Sequence, residues 1–184
     1  MMRISPSPRV IRDFRRVRGL VMDVDGVLTD GLISYGVDDE EMKSFSLRDG
    51  HGLVLLRRAG VRLALLSGRD SKAIRRRMKE LGIEDGYLGV REKLPIFQSI
   101  LQKWNLFSEE ILFIGDDVVD LPVMRISGLA ITVPEAPWVV RREADWVTRL
   151  PGGNGAVREI ADWILLGRSA DISETRCNQD GDSP

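Results

Sequence analysis

The chain alternates between two hydrophobic rhythms. Short apolar runs recur at Leu20–Met22, Leu63–Leu66, Ile111–Ile114 and, with one threonine, Leu129–Val133. Runs of that length, bounded by Gly, Ser or Asp, read as strands buried on both faces. Between them lie stretches with apolar residues at helical spacing. These are Leu53, Leu55, Leu56 and Ala59, then an arginine-rich helix over 71–81 ended by Gly82. A third carries Ile96, Phe97, Ile100, Leu101 and Trp104, with Pro95 confined to its first turn. Tyr87–Leu88 and Trp146–Val147 suggest weak further strands, and 138–142 a short helix. A last helix over about 156–166 follows a mobile loop with Gly152, Gly153 and Gly155. Strands alternating with helices predict an α/β fold, a Rossmann-like parallel sheet flanked by helices. The pattern breaks once, after the first strand. Residues 31–47 place Leu32, Ile33 and Tyr35, then Met42, Phe45 and Leu47, around a Gly/Asp turn, which predicts an inserted β-hairpin and no separate cap domain. A hairpin so placed has free edges and a poorly covered face, and a second subunit is the economical cover.

The flanks differ from this body. Residues 1–18 hold six arginines and two prolines and read as a flexible basic arm with one helical turn around Val10–Phe14; residues 168–184 read as a polar, disordered tail. The folded domain is then 19–167. Lys+Arg 27 against Asp+Glu 28 gives a net charge of −1, without the basic excess of a nucleic-acid binder. One cysteine, Cys177, excludes a disulfide framework and a cysteine-ligated zinc site within the chain. No apolar stretch approaches membrane-spanning length, and nothing reads as a secretory signal, so a cytoplasmic protein is expected.

The chemistry gathers at predicted strand ends. Asp23 and Asp25 close the first strand, Ser67 the second and Asp116 the fourth, while Lys93 follows the weak third one. In an open parallel sheet those ends share one edge, so residues distant in sequence meet there. Asp-x-Asp alone is compatible with a strand running into an Asx-rich turn. The set is more specific: three aspartates with no His or Cys make an all-oxygen site suited to Mg²⁺. A hydroxyl and a lysine add the means to hold a phosphoryl group. His51, the only histidine, opens a helix and fits a ligand contact or a capping-region residue equally. No Walker-type loop and no Gly-x-Ser-x-Gly elbow is present.

Asp23-x-Asp25-Gly26, Ser67, Lys93 and Gly115-Asp116-Asp117-x-x-Asp120 resemble the four motifs of the haloacid-dehalogenase (HAD) phosphatases. Within that superfamily, Asp23-Val-Asp-Gly-Val-Leu-Thr-Asp-Gly31, Arg48-Asp-Gly-His-Gly52, Ser67-Gly-Arg69, Gly89-x-x-x-Lys93 and Gly152-Gly-Asn-Gly-Ala-Val-Arg-Glu159 resemble the 3-deoxy-D-manno-octulosonate 8-phosphate (KDO 8-phosphate) phosphatase family. The resemblance spans about residues 19–167. It implies Asp23 as nucleophile and Asp25 as acid/base. It implies Mg²⁺ on Asp23, the Asp25 backbone carbonyl and Asp116, with Ser67 and Lys93 on the phosphoryl oxygens. Asp117 and Asp120 would orient this first set. Arg48, Arg69 and Arg158 would contact a sugar-acid substrate, Arg158 from a flexible tail entering a neighbouring site. It also implies a homotetramer assembled through the hairpin and a place in lipopolysaccharide precursor synthesis. Close relatives act on nine-carbon sugar-acid 9-phosphates, and a catalytically idle assembly domain of a sugar-nucleotide synthetase is the reading from another class.

Overall fold

A computed structural model describes residues 6–37 and 40–179, with only the backbone for 169–179. Six parallel strands form one sheet: β1 (Gly19–Met22), β4 (Arg62–Leu66), β5 (Asp85–Tyr87), β6 (Ile111–Ile114), β7 (Leu129–Thr132) and β8 (Trp146–Val147). Their order is β5-β4-β1-β6-β7-β8, with β1 central. Every residue of β1, β6 and β7 is buried, so both faces of the sheet are covered. Met22 pairs with Leu65 on one side and with Ile114 on the other, so the three central strands end level. This register puts Asp23, Ser67 and Asp116 at one edge. The parallel α/β architecture expected from the hydrophobic pattern is the one observed.

Helices α2 (Leu47–Arg58), α3 (Lys72–Leu81), α4 (Lys93–Trp104), α5 (Leu121–Met124), α6 (Trp138–Glu143) and α7 (Ala156–Gln179) fill the connections. Local chemistry sets their ends. Ser71 Oγ accepts from Ile74 N at 3.3 Å to open α3, and Gly82 closes it in the left-handed conformation. Ser46 caps α2 the same way, so that helix starts at Leu47, a residue expected in the hairpin. The hairpin itself is present as β2 (Ser34–Tyr35) and β3 (Glu41–Met42), paired antiparallel. Leu32, Tyr35, Val37, Met42 and Leu47 are exposed there.

Three expectations are corrected. The basic arm contains a helix, α1 (Pro8–Arg16), capped by Ser7 and seated on the body. Phe14 is fully buried, stacked on Trp163 at 6.2 Å and edge-on to Trp146 at 5.9 Å. Two buried apolar residues four apart, Val10 and Phe14, suffice to dock a helix that also carries Arg9, Arg12, Arg15 and Arg16. At the other end α7 runs to Gln179, so the backbone of 168–179 is helical where a disordered tail was expected; residues 180–184 lie outside the described residues. The third correction is the glycine segment before α7, a packed turn and not a mobile loop. Gly153 N donates to Val27 O at 2.9 Å, and Gly152 is buried against the loop that follows β1. Among the described residues no helix is long and apolar enough to cross a membrane.

Candidate active site

The level strand ends open onto a cavity of about 490 Å³, lined by Asp23, Asp25, Ser67, Lys93, Asp116 and Asp117 among others. That size suits a small phosphorylated metabolite. Asp23 sits at its floor. One carboxylate oxygen accepts from Val24 N at 2.7 Å, and the other lies 2.9 Å from Lys93 Nζ. Lys93 bridges to Asp120, 2.6 Å away and wholly buried, whose second oxygen accepts from Asp116 N and Asp117 N at 3.0 and 3.2 Å. Asp120 therefore holds both the lysine and the turn that carries Asp116.

The charges in this cluster are in tension. Burial, with Asp120 adding to it, raises the Asp23 carboxyl to about 6 against the pull of Lys93. Burial and the repulsion of Asp23, Asp120 and Asp117 raise Asp116 to about 7. Burial alone would lower the Lys93 ammonium, but Asp23 and Asp120 outweigh it and hold it above its ordinary value. Oxygens of Asp23, Asp116 and Asp120 lie within 4.8 Å of one another. Asp120 spends its oxygens on Lys93 and two backbone N–H groups and stays outside the cavity lining, whereas Asp23 and Asp116 both line the cavity. Two anions held this close, in an all-oxygen set, fit a small hard divalent cation. Gly26 makes the approach possible: its φ is +80°, and a Cβ there would overlap the Asp116 carboxylate, 2.5 Å from its Cγ.

Asp25 is held differently. Its Oδ1 takes an ion pair from Lys43 Nζ and a 3.5 Å contact from Thr29 Oγ1, while its buried Oδ2 has no partner among the described residues. Lys43 also meets Glu41 at 2.8 Å, and Glu41 meets Arg69 at 3.3 Å. The hairpin thus sends Lys43 and Glu41 to the site, where Glu41 meets Arg69 from the loop after β4. Sequence reasoning missed Lys43 and Glu41. They belong to no strand-end pattern, and only the fold-back of the hairpin brings them to Asp25.

Ser67 is buried and accepts from Arg69 N at 3.2 Å. Of the three arginines expected at the substrate, only Arg69 lines the cavity. Arg48 is exposed and lies outside its lining. Arg158 pairs with Asp162 at 2.8 Å and lies 3.3 Å from His51 Nδ1, on the first turn of α7. That turn is no free tail. Buried Asp49 accepts from Gly155 N at 3.0 Å and Arg158 N at 2.7 Å, tying it to α2 of the same chain. Burial raises the Asp49 carboxyl, and these N–H donors oppose the shift.

The family description "haloacid dehalogenase-like hydrolase" matches residues 46–128. Two curated relatives, the 3-deoxy-D-manno-octulosonate 8-phosphate phosphatases KdsC of Salmonella typhimurium and Escherichia coli K12, are each 41% identical over 160 residues, 87% of this chain and 85% of theirs. Among solved structures, the phosphatase of that name from Yersinia pestis superposes with a TM-score of 0.86 at 40% identity, covering 88% of both chains. The Moraxella catarrhalis protein, crystallised with a magnesium ion, a phosphate ion and a KDO molecule, gives 0.85 at 36% identity over 91% of this chain and 98% of its own.

Proposed function

The chain belongs to the KDO 8-phosphate phosphatase family of HAD-like hydrolases, and from that premise we propose that it cleaves KDO 8-phosphate to KDO and phosphate through an aspartyl-phosphate on Asp23. It is a phosphoric monoester hydrolase. The observation that carries the mechanism is the contact of Asp23 with Lys93, 2.9 Å apart at the floor of a cavity that Ser67 and Asp116 also line. Asp23, with a carboxyl near 6, is ionised at neutral pH and attacks phosphorus. Lys93 and Ser67 hold the phosphoryl oxygens as charge shifts onto them. Asp25 gives a proton to the leaving sugar oxygen, then takes one from the water that hydrolyses the intermediate. Lys43 and Thr29 aim its carboxylate for both steps. Asp23, the Asp25 backbone carbonyl and Asp116 would hold Mg²⁺, and Asp117 and Asp120 would orient that set. When bound, the ion neutralises phosphate charge and orients the attack.

The wider reading follows the same family. The exposed apolar side chains of the hairpin suit a contact between subunits of a homotetramer, in a cytoplasmic enzyme that supplies KDO for lipopolysaccharide. Light scattering on the purified protein checks the assembly. The decisive assay is phosphate release, with and without Mg²⁺, from KDO 8-phosphate, a nine-carbon sugar-acid 9-phosphate and an aryl phosphate. Metal-dependent preference for the first is expected. Preference for the second would keep the mechanism and change the pathway. Asp23→Asn should abolish turnover with assembly retained; unchanged turnover would refute the covalent route, and no turnover of any of the three substrates by the wild-type protein would favour the idle-domain reading.

A further inference from the structure

Three cations line the active-site cavity: Lys93, Arg69 and Arg91. Lys93 is committed at the floor to Asp23 and Asp120. Arg69 is committed to Glu41. Arg91 has neither an ion pair nor a side-chain hydrogen bond with any described residue, although carboxylates crowd the same cavity. It is exposed, whereas Lys93 and Ser67 are buried. Its loop is nonetheless fixed, because Val90 N donates to Ser67 O at 3.0 Å and Lys93 begins α4 two residues later.

Depth therefore sorts these cations by task. Buried Lys93 and Ser67 address the phosphoryl group, and the guanidinium at the mouth addresses whatever the substrate carries at its other end. A sugar-acid phosphate carries a carboxylate there, well separated from the phosphate. A guanidinium with its donors unspent matches a carboxylate in two parallel hydrogen bonds. We propose that Arg91 is a specificity-determining residue that receives the substrate's carboxylate. This rests on the phosphatase reading above and adds a residue to it, outside the strand-end motifs. Arg48 and Arg158 do not line this chain's own cavity.

The test compares kcat/KM of the wild-type protein, Arg91→Ala and Arg91→Lys on KDO 8-phosphate and on an aldose 5-phosphate, which lacks the carboxylate, at saturating Mg²⁺. Loss of a charge-assisted contact predicts that selectivity for the sugar acid falls roughly 10- to 100-fold in Arg91→Ala, mainly through KM. Arg91→Lys, which keeps charge without the planar fork, should fall in between. Inhibition by free KDO, which has the carboxylate and no phosphate, should weaken by a similar factor. Equal losses on both substrates would overturn the proposal by placing Arg91 on the phosphoryl group, and unchanged kcat/KM on both would overturn it outright. If the wild-type protein itself shows no preference for the sugar acid, the substrate reading fails and Arg91's role falls with it. Preference that survives in Arg91→Ala overturns the Arg91 proposal alone.

Discussion

Gly152→Ala tests whether the turn before α7 seats the catalytic loop. A Cβ at Gly152 would overlap the Gly26 carbonyl, standing 2.6 Å from its carbon and 3.0 Å from Thr29 O. Carbon atoms in contact need about 3.5–4.0 Å, so one side must yield by about 1 Å. The side that yields includes the loop carrying Asp25 and Gly26. Misplacing reacting groups by that distance costs about 100-fold in rate, and overpacking costs about 1–3 kcal/mol. For a chain of this size that is a fall in Tm of about 2–12 °C. The assay is kcat at saturating substrate beside a thermal melt. Gly60→Ala is the control. Gly60 has φ +79° with nothing near its missing Cβ, and it lies at the far end of β4 from the cavity. That substitution should cost roughly 1–2 kcal/mol through backbone strain and leave kcat alone. A Gly152→Ala protein with kcat within twofold of wild type would refute the seating argument. So would equal kcat losses in the two variants.

Lys43→Ala removes the cation that aims Asp25, so kcat should fall about 10- to 100-fold with the melt little changed; wild-type kcat would exclude Lys43 from the mechanism. Phe14→Ala opens a cavity between α1 and α7 and should cost about 3–5 kcal/mol in denaturant titrations, whereas a loose arm would give no change. Asp23 and Asp116 titrate near 6 and 7 in the fold against 3.8 when free. The metal-free fold therefore keeps their protons longer than the unfolded chain does, and its stability falls as pH rises from about 4 to about 7. Mg²⁺ competes with those protons, so the gain in Tm on adding it should be larger at pH 7.5 than at pH 5; an equal gain at both would show that these carboxylates do not bind the ion.

The parallel sheet was legible because β1, β4 and β6 are apolar runs that stop at Asp23, Ser67 and Gly115, whereas the equally apolar 53–56 and 163–166 sit within longer stretches of helical spacing. The strand-end residues were legible because strand polarity alone carries Asp23, Ser67 and Asp116 to one edge. What the sequence hid depends on three-dimensional return paths. Lys43 reaches Asp25 only because the hairpin folds back to the loop that follows β1. Phe14 and Val10 look like scattered apolar residues in a basic segment until α7 supplies the surface they cover. Glycines at 152 and 153 signal freedom in a sequence. Here they mark a place where two backbones touch, a contact that composition cannot distinguish from flexibility.

That contact also orders events in time. Synthesis delivers Asp23, Asp25 and Asp116 before Gly152 and Gly153. The surface on which their loop rests is made of Gly152 and Gly153, and the helix that pins it, through Asp49, follows them. A nascent chain paused near residue 150 would hold every acid the chemistry needs and still lack the turn that aligns them. Phosphatase activity would switch on only once α7 has been made and has closed over α1 and α2.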